Sequence, residues 1–198
     1  MKRVELKGVQ KNPNFIGSWF MEPAGLCDDL ITFFEENEDL HLSGQSTAGV
    51  NEDHKKSTDI TIFPRNLDEP NYAPVRNYID CLYECYTDYV AIWPYLECFP
   101  KLDIGVFNLQ RYQEGGHFNK LHTERDSLAS LHRLFAWMTY LNDVPDGGAT
   151  HFANFDLDVQ PEKGKTLIWP AEWTHAHKGN PVTQGTKYVI TGWLHFPA

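Results

Sequence analysis

The stretch that decides the fold is LFAWMTYL, Leu134–Leu141, with NDVPDGGATHF, Asn142–Phe152, running on from it. The first eight residues are almost all apolar or aromatic. The run is short for a helix, and Pro145-Asp146-Gly147-Gly148 closes it with turn formers, so it reads as a strand. Comparable runs lie around it, at Ile104–Tyr112, Thr150–Phe155, Thr166–Pro170 and Tyr188–Phe196. Gly115-Gly116, Glu162-Lys163-Gly164 and Gln184-Gly185 separate them. Several short strands at close spacing predict an antiparallel sandwich or barrel from residue 103 onward.

The N-terminal half has another character. In residues 24–38, Leu26, Leu30, Ile31, Phe33 and Phe34 share one face of a helix. In residues 75–93, Val75, Ile79, Leu82, Tyr83, Tyr86, Tyr89 and Val90 repeat at helical spacing, and Pro94 ends the segment. Residues 40–70 are polar and read as loop, with a short strand at Ile60–Phe63. Within them Leu42–Asp59 has the composition of a mobile loop and reads equally as a closing flap or a surface connection. The fold class expected is α+β, mainly β, with two N-terminal helices packed against a β-barrel. Pocket-type sites are common in the mouths of such barrels.

Length and composition agree with one domain. The chain has 198 residues, of which 41% are hydrophobic and 14% aromatic, enough for a core. We expect a single unit over 1–198, with 1–100 as a helical and loop support and 101–198 as the core. The formal charge of −10 comes without a basic cluster larger than His54-Lys55-Lys56, which argues against nucleic acid or an anionic membrane as partner. MKRVELKGVQKNPN at the start has no apolar signal core, and no run approaches a membrane span. A cytoplasmic protein is the expectation. Cys27, Cys81, Cys85 and Cys98 form no Cys-x-x-Cys pair and read as reduced, buried thiols.

The candidate chemistry lies in GGHFNKLHTERD, Gly115–Asp126. Residues two apart in a strand share a face, so His122 and Glu124 would project together. A third ligand must come from TLIWPAEWTHAHKGNPVTQGTKYVITGW, Thr166–Trp193, where either His175 or His177 can stand opposite His122 across a strand pair. Two histidines and one carboxylate make a facial triad that leaves three positions open on a six-coordinate Fe(II). Lys187 follows His177 by ten residues, across the turn Pro181–Gly185. A Lys buried in the same barrel would require an anionic partner, and a dicarboxylate chelating the metal at its other end could supply it.

Three blocks carry a resemblance: RYQEGGHFNKLHTE (111–124), HRLFAWMTYLNDVPDGGATHF (132–152) and KGKTLIWPAEWTHAHKGNPVTQGTKYVITGW (163–193). In order and spacing they resemble the iron(II)/2-oxoglutarate-dependent oxygenases, and the prolyl 4-hydroxylase-like branch most of all. The resemblance implies a double-stranded β-helix, a jelly-roll or cupin-like barrel. It implies His122, Glu124 and His177 as iron ligands, the last chosen by its offset from Pro181-Val182. It implies Lys187 on the far carboxylate of 2-oxoglutarate, with Tyr112, Thr191 and Trp193 also at the cosubstrate. No catalytic side chain is implied beyond the metal ligands. The implied cofactors are Fe(II), 2-oxoglutarate and O2, with ascorbate as a supporting reductant. The implied reaction hydroxylates an unactivated C–H bond of a prolyl, other peptidyl or amino-acid-like substrate and releases succinate and CO2.

The family's usual Asp is Glu here, and Asp126 stands by as a spare carboxylate. Arg133 opens the central strand without an assigned role. His117 and His132 read as pocket-lining or structural, and His41, His54, His151 and His195 as surface or core. Trp137, Trp169, Trp173 and Trp193 read as core aromatics or pocket walls. Two rival readings remain: a cupin-like metal-binding barrel without oxygenase activity, and a metal-free binding module.

Overall fold

The computed structural model describes residues 2–3, 14–45 and 49–197. Most of the N-terminal stretch discussed above, and residues 46–48 of the Leu42–Asp59 stretch, lie outside the described residues. In chain order the main elements are β1 (Gly17–Phe20), α1 (Gly25–Glu36), β2 (Lys55–Lys56), β3 (Thr58–Ile62) and α2 (Ala73–Ile92). There follow β4 (Phe107–Tyr112), β5 (His117–His122), β6 (Arg133–Tyr140), β7 (Thr150–Phe152), β8 (Leu157–Val159), β9 (Lys165–Pro170), β10 (His177–Gly179) and β11 (Lys187–His195).

Two antiparallel sheets face each other. The larger runs β1-β9-β6-β11-β4-β3, extended at its ends by Lys2–Arg3 and Leu42–Ser43, with Asp103–Ile104 pairing on β11. The smaller runs β8-β7-β10-β5-β2. This is the expected mainly β, jelly-roll architecture with helices against it. The larger sheet takes strands from both sides of residue 100.

Alternation along β6 shows how the layers divide. Phe135 and Trp137 join a core shared with Leu30, Phe34, Tyr78 and Tyr89 of the helices. Ala136, Met138 and Tyr140 join a second core with Phe152, Trp169 and Val189, between the sheets. A strand covered on both faces is apolar at nearly every position, which is why Leu134–Leu141, with Thr139 as its one clearly polar residue, shows no alternation in sequence. A buried chain of hydroxyls, Tyr78 to Thr139 (2.9 Å) to Thr166 (2.7 Å), pins α2 to the sheet.

The helices lie within two residues of their expected ends at the N-terminal side and close to them at the C-terminal side. Asn37 caps α1 by donating its side-chain amide to the Phe33 carbonyl, and Pro74 sits in the first turn of α2, where its missing N–H costs nothing. Some strand expectations need correction. Ile104–Tyr112 is interrupted between Ile104 and Phe107, and Thr150–Phe155 ends at Phe152 because Ala153–Phe155 coils into a 3-10 turn. Among the described residues, no helix is long and apolar enough to cross a membrane.

Candidate metal centre

Strand register builds the centre. β10 pairs with β5 so that His177 stands directly opposite His122, with ring centroids 4.5 Å apart. Glu124 lies just past the end of β5. Its Oε1 is 3.3 Å from His177 Nε2 and 3.7 Å from His122 Nε2. One ligand atom from each residue fits within 4.8 Å of the others, and among the described residues no other group of three or more His, Cys, Asp or Glu side chains does so.

The donor set suits a cation. His122 Nδ1 is bound to the Lys120 carbonyl at 2.8 Å and His177 Nδ1 to the His175 carbonyl at 2.9 Å. A carbonyl only accepts, so each Nδ1 carries a proton, which leaves each Nε2 as the ring nitrogen facing Glu124. Burial, reinforced by His177 alongside, pushes the His122 imidazole down to about 4, so it stays neutral at pH 7. Burial alone would raise the Glu124 carboxyl. The hydrogen bond and charge of His177, His122 and the Trp193 indole outweigh it and hold Glu124 at about 2. A neutral His122 imidazole and an ionised Glu124 carboxylate are states that metal binding requires.

The spare residues of the sequence fall elsewhere. Asp126 is tied to Ser130 through its backbone N–H and its carboxylate. His175 turns away to the Asn14 carbonyl at 2.7 Å. His117 bonds the Gly115 carbonyl through Nδ1, and His132 packs edge-on against His195. Trp137 and Trp169 are core, as expected. Trp173 is not: it is 70% exposed, on the 3-10 turn Trp173–His175. That turn is held through backbone carbonyls, which accept from the Asn154 amide, so the indole is left outside.

The three groups open on a cavity of about 550 Å³ between the sheets, a size suited to a small ligand. Lys187 lies in the same cavity. Register places it opposite Tyr112 on β4. It is 3% exposed, its Nζ donates to the Gly148 carbonyl at 2.9 Å and sits 4.5 Å over the Tyr112 ring. Among the described residues it has no ion-pair partner, and burial pushes its ammonium down to about 7. Gly148 reaches this position with φ of +71°, and a Cβ there would press on the Lys187 chain at 3.2 Å; glycine satisfies both demands.

The other three cosubstrate candidates line the cavity too, but their polar atoms are engaged. Tyr112 donates its hydroxyl to Gln110 at 2.7 Å, Thr191 donates to the Trp137 carbonyl at 2.9 Å, and Trp193 donates its indole N–H to Glu124 Oε2 at 2.7 Å. The sequence reading also missed a buried polar wall. Lys55 pairs with Asp59 at 2.6 Å, Ser57 donates to Asp59 at 2.7 Å and Gln110 to it at 3.3 Å. Lys55 lies on β2 of the smaller sheet and Asp59 on β3 of the larger, so the pair bridges the sheets, and opposite charges four apart in an otherwise polar stretch are the only signal the sequence gives of it. Lys55 and Gln45 bring the Leu42–Asp59 stretch into the cavity wall.

Residues 107–195 match the model of the 2OG-Fe(II) oxygenase superfamily. That segment, a little under half of the chain, is similar to the superfamily. Over 96 residues, 45% of this chain, the sequence is 31% identical to human prolyl 4-hydroxylase subunit alpha-1, of whose length it spans 17%. Prolyl 4-hydroxylase 2 of Arabidopsis thaliana is 23% identical across 96% of this chain and 70% of its own. The fold matches that of a Trichoplax adhaerens prolyl hydroxylase solved with a hypoxia inducible factor peptide fragment, with a TM-score of 0.71 at 15% identity over 93% of this chain and 84% of that one. The chain is prolyl hydroxylase-like in sequence and fold.

Proposed function

We propose that this chain is an Fe(II)- and 2-oxoglutarate-dependent dioxygenase that hydroxylates an unactivated C–H bond of a prolyl or other peptidyl side chain. One observation carries the reading. Two imidazoles and a carboxylate meet at one side of a cavity that also holds a buried lysine with no acidic partner among the described residues. A cupin-like metal protein without 2-oxoglutarate gives no reason to bury that lysine, and a metal-free module gives no reason to gather two imidazoles and a carboxylate beside it.

His122, Glu124 and His177 would hold the iron and leave three positions open. Iron with 2-oxoglutarate and dioxygen would supply the oxidising chemistry, in which the cosubstrate is decarboxylated to succinate and CO2. The ammonium of Lys187 would pair with the far carboxylate of the cosubstrate, and the Tyr112 ring would support that ammonium from below. Buried Met138, Val189 and Trp169 supply apolar walls that keep water from the reacting centre. A peptidyl substrate is supported by the names of the similar proteins, one of which was solved with a peptide; a free amino acid is the second candidate. We read residues 1–198 as one oxygenase unit in which the first hundred support the core. Reduced thiols at Cys27, Cys81 and Cys98 are in keeping with a reducing, cytoplasmic setting.

The test is anaerobic addition of Fe(II) and then 2-oxoglutarate, followed by visible absorption. A charge-transfer band that needs His177 and weakens in Lys187→Ala is expected. Under air, succinate should form faster with proline-containing peptides than with free proline. Metal binding without the band would move the reading to the cupin-like alternative, and no metal binding at all would end it.

A further inference from the structure

The family's usual carboxylate is Asp, and this chain has Glu124. Glutamate has one more rotatable bond, so its carboxylate can swing and offer both oxygens to a metal. That matters for a site that must keep three positions open, because a two-oxygen grip would fill one of them. The question is what holds Glu124 to a single oxygen.

Trp193 answers it. An indole N–H can only donate, and this one lies 2.7 Å from Glu124 Oε2. A hydrogen bond to an ionised acceptor is among the stronger kinds. It ties down Oε2 and leaves Oε1 on the side of His177 and His122. The indole is itself held. The Arg133 guanidinium lies 3.6 Å over its ring, and Arg133 also donates to the Glu124 backbone carbonyl at 3.1 Å. The two come from adjacent strands in fixed register: Trp193 pairs with Ala136 of β6, the strand that Arg133 opens. Indole, guanidinium and the two ends of Glu124 thus form a closed clamp.

We propose that Trp193, backed by Arg133, is a positioning residue that holds Glu124 to one-oxygen coordination of the metal. The assignment rests on the metal ligands proposed above. It also separates Trp193 from the cosubstrate, which the family resemblance had placed beside it. Partners of this kind around metal ligands typically matter by 10–100-fold in affinity or activity.

Co(II) is the probe, added to the metal-free full chain without 2-oxoglutarate, because its visible spectrum reports coordination number. In Trp193→Phe we expect the metal-only spectrum to shift toward higher coordination as Oε2 swings onto the ion. The cobalt-loaded variant should then bind 2-oxoglutarate about 10-fold more weakly or worse. Arg133→Met keeps the indole but removes its backing and the guanidinium's own 4.0 Å ion pair with Oε2, and should shift the spectrum the same way by less. It decides the matter alone if Trp193→Phe does not fold, as judged by its melting curve. A direct contact between Trp193 and 2-oxoglutarate would weaken cosubstrate binding and leave the metal-only spectrum unchanged. That result, with wild-type binding still dependent on His177, overturns the clamp and spares the metal site. A wild-type spectrum indifferent to His177→Ala overturns both.

Discussion

Replacing Lys187 by Met should stabilise the cofactor-free protein while destroying its response to 2-oxoglutarate. Lys187 is buried, with one carbonyl and one aromatic face as its company. Its ammonium is pushed from 10.5 to about 7 by burial. A group whose folded value is depressed below its unfolded value binds its proton more weakly in the folded state. For a lysine this is a cost, greatest below pH 7 and vanishing above about 10.5. At pH 7 the difference corresponds to about 4 kcal/mol. Methionine has a similar length and carries no charge, but it leaves the Gly148 carbonyl without its donor, which costs about 1–3 kcal/mol. The net expectation is a gain of about 2 kcal/mol, or roughly 4–8 °C in melting temperature for a chain of this size. Thermal melts of both proteins at pH 7 and pH 9 provide the check. Wild type should recover about 2 kcal/mol relative to the variant between those values, since one proton is released there at about 1.4 kcal/mol per pH unit. With metal and 2-oxoglutarate present, the wild type should melt higher and the variant should not respond. A variant less stable than wild type at pH 7, by a margin that does not change with pH, would show that Lys187 is not a buried cation awaiting an anion.

Other substitutions probe other parts. His177→Ala or Glu124→Ala should abolish the rise in melting temperature that Co(II) produces in the wild type, and a retained rise would place the metal elsewhere. Asp59→Asn should cost about 3–5 kcal/mol, because Lys55 would stay buried beside a neutral partner; urea titration measures it, and a cost below about 1 kcal/mol would mean that the lysine escapes to solvent. Thr139→Val should cost about 1–3 kcal/mol by stranding the buried hydroxyl of Tyr78, and an unchanged urea midpoint would show that this hydroxyl finds another acceptor. Gly192→Ala should cost about 1–3 kcal/mol, since its Cβ would lie 2.5 Å from Phe107 Cβ and 2.6 Å from the Trp137 ring. An undiminished melting temperature there would mean that the sheet relaxes freely at this point.

Where the sequence is legible, the reason is local periodicity. Leu26, Leu30, Phe33 and Phe34 recur at helical spacing and are buried together, so α1 could be read at once. The same holds for Val75, Leu82 and Tyr89 in α2. Legibility fails where a residue's state depends on a distant partner. β1 is only GSWF, too short to show a period, and it is a strand because the edge of β9 offers its backbone groups. The hydroxyls of Tyr112 and Thr191 look available in sequence, but Gln110 and the Trp137 carbonyl take them. Trp173 looks like core because indoles usually are, yet backbone bonds that hold its turn face the indole outward.

The centre itself shows how a local rule and a long-range one combine. Sharing of a face by residues two apart brings His122 and Glu124 to mind together, but β5 ends at His122 and Glu124 lies in the turn beyond. The strand rule alone would therefore leave the carboxylate unaimed. Register across β5 and β10 fixes the histidines, and that register could be anticipated only as one of two choices, His175 or His177. The aim of Glu124 comes from the other sheet, through the Trp193 indole and the Arg133 guanidinium. A carboxylate one methylene longer needs such an outside hold, whereas a shorter one would be aimed largely by its own backbone. The replacement of Asp by Glu and the position of Trp193 are thus coupled, and a chain that kept the Glu but lost the indole would be expected to bind metal without keeping its third position open.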